Sequence, residues 1–564
     1  MSLPGSRDAA PEAVPLRLGA GMRPEEADRP WILVESCAGE THPGSAHLLQ
    51  LSELCAGEVR RAGGAPYRAF CSDLCDGVAQ GTPAMGLSLA GRELYALAAE
   101  LHARGGHADG VLFLSSCDKS VPAHLIAAVR LNLPAVLVPG GVMPRSSDGG
   151  TLADAGELAA ARRRGEISPA EFDARVRGLC PGPGACAFLG TAGTMQCLAV
   201  GLGLALPGAE LLPPLGPAQL SISRRSAGTL MRLVGEGVTP RDLLDARSLG
   251  NVVALLAALD GSTNALVHLA ALARELGLPF DLRGVDRVAA RIPRLVNLRP
   301  AGDHPTDRFH LAGGIPAVIE LLCGLGLFDS EARTVTGSWA EALADWRRWD
   351  DPESRRALLA ADGESPGDYV SPAVDAPFGP PGCIRVLFGS LAPRGAVVKL
   401  AGVERTRFRG PARVFGSEGA ALAAVAEGSV RPGDVVVLPG QGPRGAGMPE
   451  LFYLSAALRE HPALSGAVAL VSDGRFSGAT AGPCVGHVCP EVAAGGPLAL
   501  VREGDTVLVD LEARRLELLV EASELERRRA ALNPPAPPGG SGLLALYRRS
   551  ALQADEGGGF DARP

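Results

Sequence analysis

An α/β N-terminal domain with a largely parallel sheet, followed by a β-barrel-like C-terminal domain, is the fold class this 564-residue sequence predicts, on three observations. The chain is longer than one hydrophobic core usually grows, so two lobes with a cleft between them are expected. Its first half alternates short apolar runs with helical patterns, as layered, mostly parallel sheets do. Its last third changes to short β-rich segments separated by turns, as barrels do.

Taken in order, residues 1–30 are a loose Pro/Ala/Gly-rich lead-in, with no apolar stretch behind a basic start to make a signal peptide. From Trp31 the pattern predicts a strand at Ile32–Glu35, helices at Ala46–Ala62 and Arg92–Ala103, a strand at Gly110–Leu114, a helix at His124–Leu131 and a strand at Ala135–Val138. Residues from Pro217 to about Ala361 look mainly helical, with Gly-rich interruptions at Asp260–Asn264 and Ala312–Pro316, and extend the same domain to 31–371. The Pro/Gly-rich stretch Ser371–Gly382 marks the boundary. Strands are expected next at Arg385–Phe388, Ala396–Leu400, Ala412–Phe415, Asp434–Leu438, Ala467–Val471, Leu498–Val501 and Thr506–Asp510, in a second domain over 383–530. Residues 531–564 are a C-terminal extension.

A net charge of −8 offers no basic footprint for nucleic acid. The apolar runs fall well short of the ~20 residues a membrane span needs. A cytoplasmic protein with a small-molecule partner is therefore expected, its 12 cysteines being reduced thiols rather than a disulfide scaffold.

The segment Ser115-Ser116-Cys117-Asp118-Lys119 sets a soft thiolate, a hard carboxylate and an amine at a strand end. Cysteine suits an iron–sulfur cluster or zinc, and aspartate suits magnesium. Read alone, the segment is equally a buried cysteine beside a surface ion pair. Cys180 and Cys186 lie on a Gly/Pro-rich loop before a small-residue helix, but no second cysteine pair at finger spacing accompanies them, which weakens a zinc reading. Cys75-Asp76-Gly77 adds a carboxylate on another Gly-rich loop. In the last third, polar residues gather in the loops Gly440–Glu450 and Ser472–Gly478, where Glu450 and Ser477 are candidates to face the cleft. With no GxSxG elbow, Ser477 becomes reactive only beside a metal or an anion-stabilising site.

Together these segments resemble the family of dihydroxy-acid and sugar-acid (aldonate, phosphogluconate) dehydratases, from about Trp31 to Arg529. The landmarks are HPGSAHL (His42–Leu48), CDGVAQG (Cys75–Gly81), SSCDKSVPAHL (Ser115–Leu125), GACAFLGTAGTMQ (Gly184–Gln196), GSTNALVHL (Gly261–Leu269), AGGIPAV (Ala312–Val318), LAPRGAVVK (Leu391–Lys399), GAGMPE (Gly445–Glu450), DGRFSGAT (Asp473–Thr480) and GHVCPE (Gly486–Glu491). The resemblance implies a lyase, an iron–sulfur- and Mg2+-dependent hydro-lyase that converts a 2,3-dihydroxy carboxylic acid to a 2-oxo acid, assembled as a homodimer or a dimer of dimers. It implies Cys117 and Cys186 as cluster ligands, Asp76, Asp118, Lys119 and Glu450 as the magnesium site with Lys119 carbamylated, and Ser477 as the catalytic base.

One departure concerns the cluster. Where some members carry a third cysteine in a PCNxHL-like segment, this chain has Gly44. The Pro-Gly form goes with members holding a four-iron cluster, so [4Fe-4S] is favoured over [2Fe-2S], and Cys37 and Cys180 are candidates for the third ligand. HPTDRFHLAGGIP, TVTGSWAE and FLGTAGTMQ tilt the substrate slightly toward a sugar acid, an aldonate such as a pentonate. The alternative is the branched-chain dihydroxy acid of amino-acid biosynthesis, with which GAGMPE, DGRFSG and the Pro-Gly segment are shared. Remoter readings are a zinc or other metal hydrolase and a non-catalytic metal-binding relative. Retention of every matched magnesium-site and base residue argues against the second of these.

Overall fold

The computed structural model describes residues 10–477, 482–532 and 539–561. Four strands, β1 (Trp31–Ser36), β2 (Ala65–Phe70), β3 (Gly110–Ser115) and β4 (Ala135–Pro139), form a parallel sheet in the order β2-β1-β3-β4. β1, β3 and β4 are buried along their whole length, because helices cover both faces and the strands can be apolar throughout. The chain steps one way from β1 to β2 and the other way from β2 to β3 and β4. Right-handed crossovers therefore put Leu48–Arg61 on one face and Ser88–Gly105 and Ser120–Leu131 on the other. Pro217–Glu236 joins the first face, and Asn264–Leu276 packs behind the second. A two-stranded hairpin, β5 (Arg333–Thr334) with β6 (Gly337–Ser338), lies among the later helices.

The second lobe is a mixed sheet of eight strands: β7 (Ile384–Leu387), β8 (Gly395–Lys399), β9 (Arg407–Val414), β10 (Val435–Leu438), β11 (Ala469–Ser472), β12 (Cys484–Cys489), β13 (Thr506–Asp510) and β14 (Arg515–Leu518). The order is β14-β13-β9-β10-β11-β12-β8-β7. Its two edges meet where Phe388 donates to Arg514 O and accepts from Leu516 N, each at 2.9 Å, so the sheet all but closes into a barrel. Side chains alternate across its wall as the pleat requires. Val435, Val437, Ala469 and Val471 fill the inside, while Val436, Leu438 and Leu470 pack outward with Ala421 and Leu454 of the covering helices Glu418–Ala426 and Phe452–Glu460.

Several details differ from the sequence reading. The lead-in contains a helix, Ala13–Gly19, whose Arg17 guanidinium lies 3.6 Å from the centre of the Tyr67 ring. The apolar stretch Leu498–Val501 is not a strand: a 3-10 turn, Pro497–Leu500, occupies it, with Pro497 opening the turn. Residues 539–561 run back between the lobes. Their helix Leu543–Ser550 and the residues after it share a core with Leu89, Val267 and Met448, and the fully buried Arg92 donates to Gly557 O at 2.7 Å. No helix among the described residues is long and apolar enough to cross a membrane.

Candidate active site

The strand order reverses direction between β1 and β3, and in open α/β sheets the loops leaving such a point diverge to make a crevice. The loops that follow β1 and β3 carry His42 to Gly44 and Ser116 to Lys119. The barrel lobe covers that crevice with the loops that follow β10 and β11. Between the lobes lies a cavity of about 1060 Å³, whose wall includes Asp76, Cys117, Asp118, Cys186, Glu450 and Ser477. Six of the seven residues singled out in the sequence thus face one space. The seventh, Lys119, is fully buried beneath it and reaches it through Asp76.

The charged end is built from both lobes. Asp76 Oδ2 accepts from Lys119 Nζ at 2.7 Å and from Arg475 Nη1 at 3.5 Å, and Asp76 Oδ1 accepts from Ser88 Oγ at 2.5 Å. Glu450 Oε1 accepts from Asn264 Nδ2 at 2.5 Å and from Arg475 Nη1 at 3.2 Å. Gln80 Nε2 donates to the Glu450 carbonyl at 2.9 Å. Burial and the neighbouring Asp76 push the Glu450 carboxyl up to about 7. Burial and Asp76 also raise Asp118, whereas Lys119 and Arg475 overcome burial and hold Asp76 below the usual carboxylate range. Three carboxylates crowd two cations here, a donor set that fits a hard divalent ion.

The thiols form the adjoining patch. Cys75, Cys117, Cys180 and Cys186 all line the cavity, and one ligand atom from each of His42, Cys75 and Cys117 lies within 4.8 Å of the others. The Cys117 thiol stabilises the neighbouring Cys75 thiolate, lowering Cys75 and raising Cys117. Soft thiolates gathered on one wall, beside a separate carboxylate set, fit an iron–sulfur cluster. Cys37 is turned away: it is fully buried, its Sγ lies 3.5 Å from His124 Nε2, and it is absent from the cavity wall.

Much of the remaining wall is apolar, with Arg164, Thr191, Tyr453, Glu460 and His461 also lining it. Leu152, Ala155 and Ala159 come from the N-terminal lobe, and Leu422, Val425, Phe452 and Ala456 from the helices that cover the barrel. The sequence reading missed four polar contributors: Ser88, Asn264, Arg475 and Gln80. Asn264 and Arg475 stood inside the motifs GSTNALVHL and DGRFSGAT, but nothing local marked them as partners of Glu450. Of DGRFSGAT, the residues from Gly478 onward lie outside the described ones.

The family profile for the dihydroxy-acid/6-phosphogluconate dehydratase N-terminal domain matches residues 29–342, and the C-terminal profile matches residues 370–558. Curated relatives include the dihydroxy-acid dehydratases of Ignicoccus hospitalis (39% identical, covering 98% of each chain), Nitratidesulfovibrio vulgaris Miyazaki F (41%, 95% of each) and a strain of Thermus thermophilus (39%, 97% of each).

Proposed function

The chain belongs to the dihydroxy-acid/6-phosphogluconate dehydratase family and is a hydro-lyase acting on dihydroxy acids, and from that premise we propose that its substrate is a branched-chain 2,3-dihydroxy acid of the 2,3-dihydroxyisovalerate type. The observation that carries this reading is the apolar stretch of the cavity wall, with Leu152, Ala155, Val425 and Phe452. A methyl-branched tail is desolvated favourably against that stretch. The names of the relatives point the same way.

This preference departs from the slight tilt toward a sugar acid. Two of the three segments behind that tilt, residues 304–316 and 334–341, contribute nothing to the cavity wall. The third, around Phe188 to Ala192, lines it beside the thiols and carries no specificity signal of its own.

In this reading Asp76, Asp118, Glu450 and a carbamylated Lys119 hold Mg2+, and Cys117 and Cys186 hold a [4Fe-4S] cluster. When bound, these groups supply Lewis acidity to the substrate's carboxylate and C2 hydroxyl on one side and to the departing C3 hydroxyl on the other. With Lys119 carbamylated, three carboxylates and a carbamate against Arg475 alone would carry three net negative charges, which a divalent cation reduces to one. Ser477, on the wall of the same cavity, would act as an alkoxide and take the proton from C2. The C3 hydroxide would take that proton from Ser477 and leave as water, returning the alkoxide, and the enol tautomerises to the 2-oxo acid. Asn264 and Arg475 fix the Glu450 carboxylate. Assembly as a homodimer or dimer of dimers, in the cytoplasm, belongs to the same proposal.

The test is 2-oxo acid formation by anaerobically reconstituted protein with Mg2+, comparing 2,3-dihydroxyisovalerate with pentonates and hexonates. Turnover of the branched acid, lost in Ser477→Ala, is expected. A higher kcat/KM for an aldonate would restore the sugar-acid reading, and no turnover by fully loaded protein would favour a non-catalytic relative.

A further inference from the structure

We propose that Cys75 is the third cluster ligand, beside Cys117 and Cys186. This assignment rests on the reading that the chain carries an iron–sulfur cluster.

Among the described residues, a single group of three metal-ligating side chains comes within 4.8 Å, and it contains Cys75 and Cys117 together with His42. The His42 ring is already committed on both sides. Its Nε2 lies 2.8 Å from Asp73 Oδ1, and its Nδ1 accepts from Gly44 N at 3.1 Å. Ligation by either nitrogen would break a buried hydrogen bond, so the two sulfurs are the donors left in the group.

The backbone makes the same selection. Cys75 precedes Asp76 as Cys117 precedes Asp118, and all four side chains line the cavity. Two Cys-Asp steps thus face each other, sulfur with sulfur on the thiol patch and carboxylates toward Glu450. Position 44 offers no sulfur, and a Cβ there would stand 3.4 Å from the Cys117 Cβ and 3.0 Å from the His42 ring. The site is therefore one thiolate short on that side, and Cys75 approaches Cys117 from the loop opposite. Cys37 is excluded by facing away from the cavity. Cys180 lies on the wall but outside the group. Three thiolates would leave one iron of a four-iron cluster without a protein ligand.

The protein is reconstituted anaerobically with iron and sulfide as wild type, Cys75→Ala, Cys75→Ser, Cys37→Ser and Cys180→Ser, and iron content and the EPR spectrum of the reduced cluster are recorded. Wild type, Cys37→Ser and Cys180→Ser are expected to hold about four irons per chain with one common spectrum. Cys75→Ala should lose at least half of that iron, and Cys75→Ser should show shifted g values. In the loaded wild type, alkylation by iodoacetamide followed by mass spectrometry should find Cys75, Cys117 and Cys186 protected, all three becoming reactive after chelation. Cys75 alkylated equally in loaded and metal-free wild type, or a full iron complement with an unchanged spectrum in Cys75→Ala, overturns the ligand assignment and leaves the cluster reading standing. A wild type that takes up no cluster overturns both.

Discussion

Replacing Arg475 with methionine removes a buried cation that bridges carboxylates of both lobes. The fully buried guanidinium donates to Met448 O at 2.7 Å, to Ser88 Oγ and Glu450 Oε1 at 3.2 Å, and to Asp76 Oδ2 at 3.5 Å. Removing one partner of a buried pair costs about 3–5 kcal/mol, because the other charge stays buried without compensation. In Arg475→Met, Lys119 alone would face Asp76, Asp118 and Glu450. The loss depends on pH. The Glu450 carboxyl is already pushed up to about 7 with Arg475 holding it down, so without the arginine it rises further and sheds part of the penalty at low pH by keeping its proton. The destabilisation should therefore be smaller at pH 6, where Asp76 alone remains charged without its arginine, than at pH 9. Mg2+ should restore part of it: a ligand at a hundred times its Kd stabilises by about 2.7 kcal/mol, and the variant should gain more than the wild type because the cation meets carboxylates that lack their arginine. Urea-unfolding midpoints of metal-free and Mg2+-loaded protein, at both pH values, measure all of this. A pH 9 midpoint unchanged by the substitution, or one that Mg2+ raises no more than in wild type, would refute the reasoning.

Two other outcomes are expected. Asn264→Ala frees the Glu450 carboxylate from its 2.5 Å hydrogen bond and should lower kcat/KM about 10- to 100-fold while raising the Mg2+ concentration needed for half-maximal activity, as steady-state rates over a Mg2+ series will show. Glu210 is fully buried, accepts from Ile315 N at 2.7 Å, and is pushed from the ordinary 4.5 up to about 7 by burial. Its contribution to stability is complete below pH 4.5 and lost as pH rises through 7, by about 3 kcal/mol, so Glu210→Gln should flatten the fall in Tm between pH 5 and 8.

The alternation of apolar runs and helical patterns located β1, β3 and β4 to within a residue or two, because strands buried on both faces are continuously apolar. The sheet's edge strand β2, APYRAF, has no such run: half of it faces out, and nothing in its composition sets it apart from a loop. β12, CVGHVC, is broken by glycine and histidine, and β14 is only four residues long. Leu498–Val501 failed in the opposite sense, since a short apolar run does not by itself distinguish a strand from a buried turn. The same limit governs the site. The Cys-Asp-Lys and Cys-Asp-Gly signatures are local, and both were legible. The approach of Cys75 to Cys117 is a product of the strand order, and the bridging of Asp76 and Glu450 by Arg475 is a product of lobe docking, neither of which has a local pattern.

The return of the chain between the lobes ties the site to the order of synthesis. Residues 543–560, with Tyr547 and Ala551 against Leu89 and Met448, back the layer that holds Ser88, Arg475 and Glu450. They are made after every strand of both lobes. Either lobe can fold as it emerges, but for an interval the cleft between them stands without its backing. In that interval Met448 lacks the packing of Tyr547 and Ala551, and the arrival of the tail, by filling the space behind it, completes the layer.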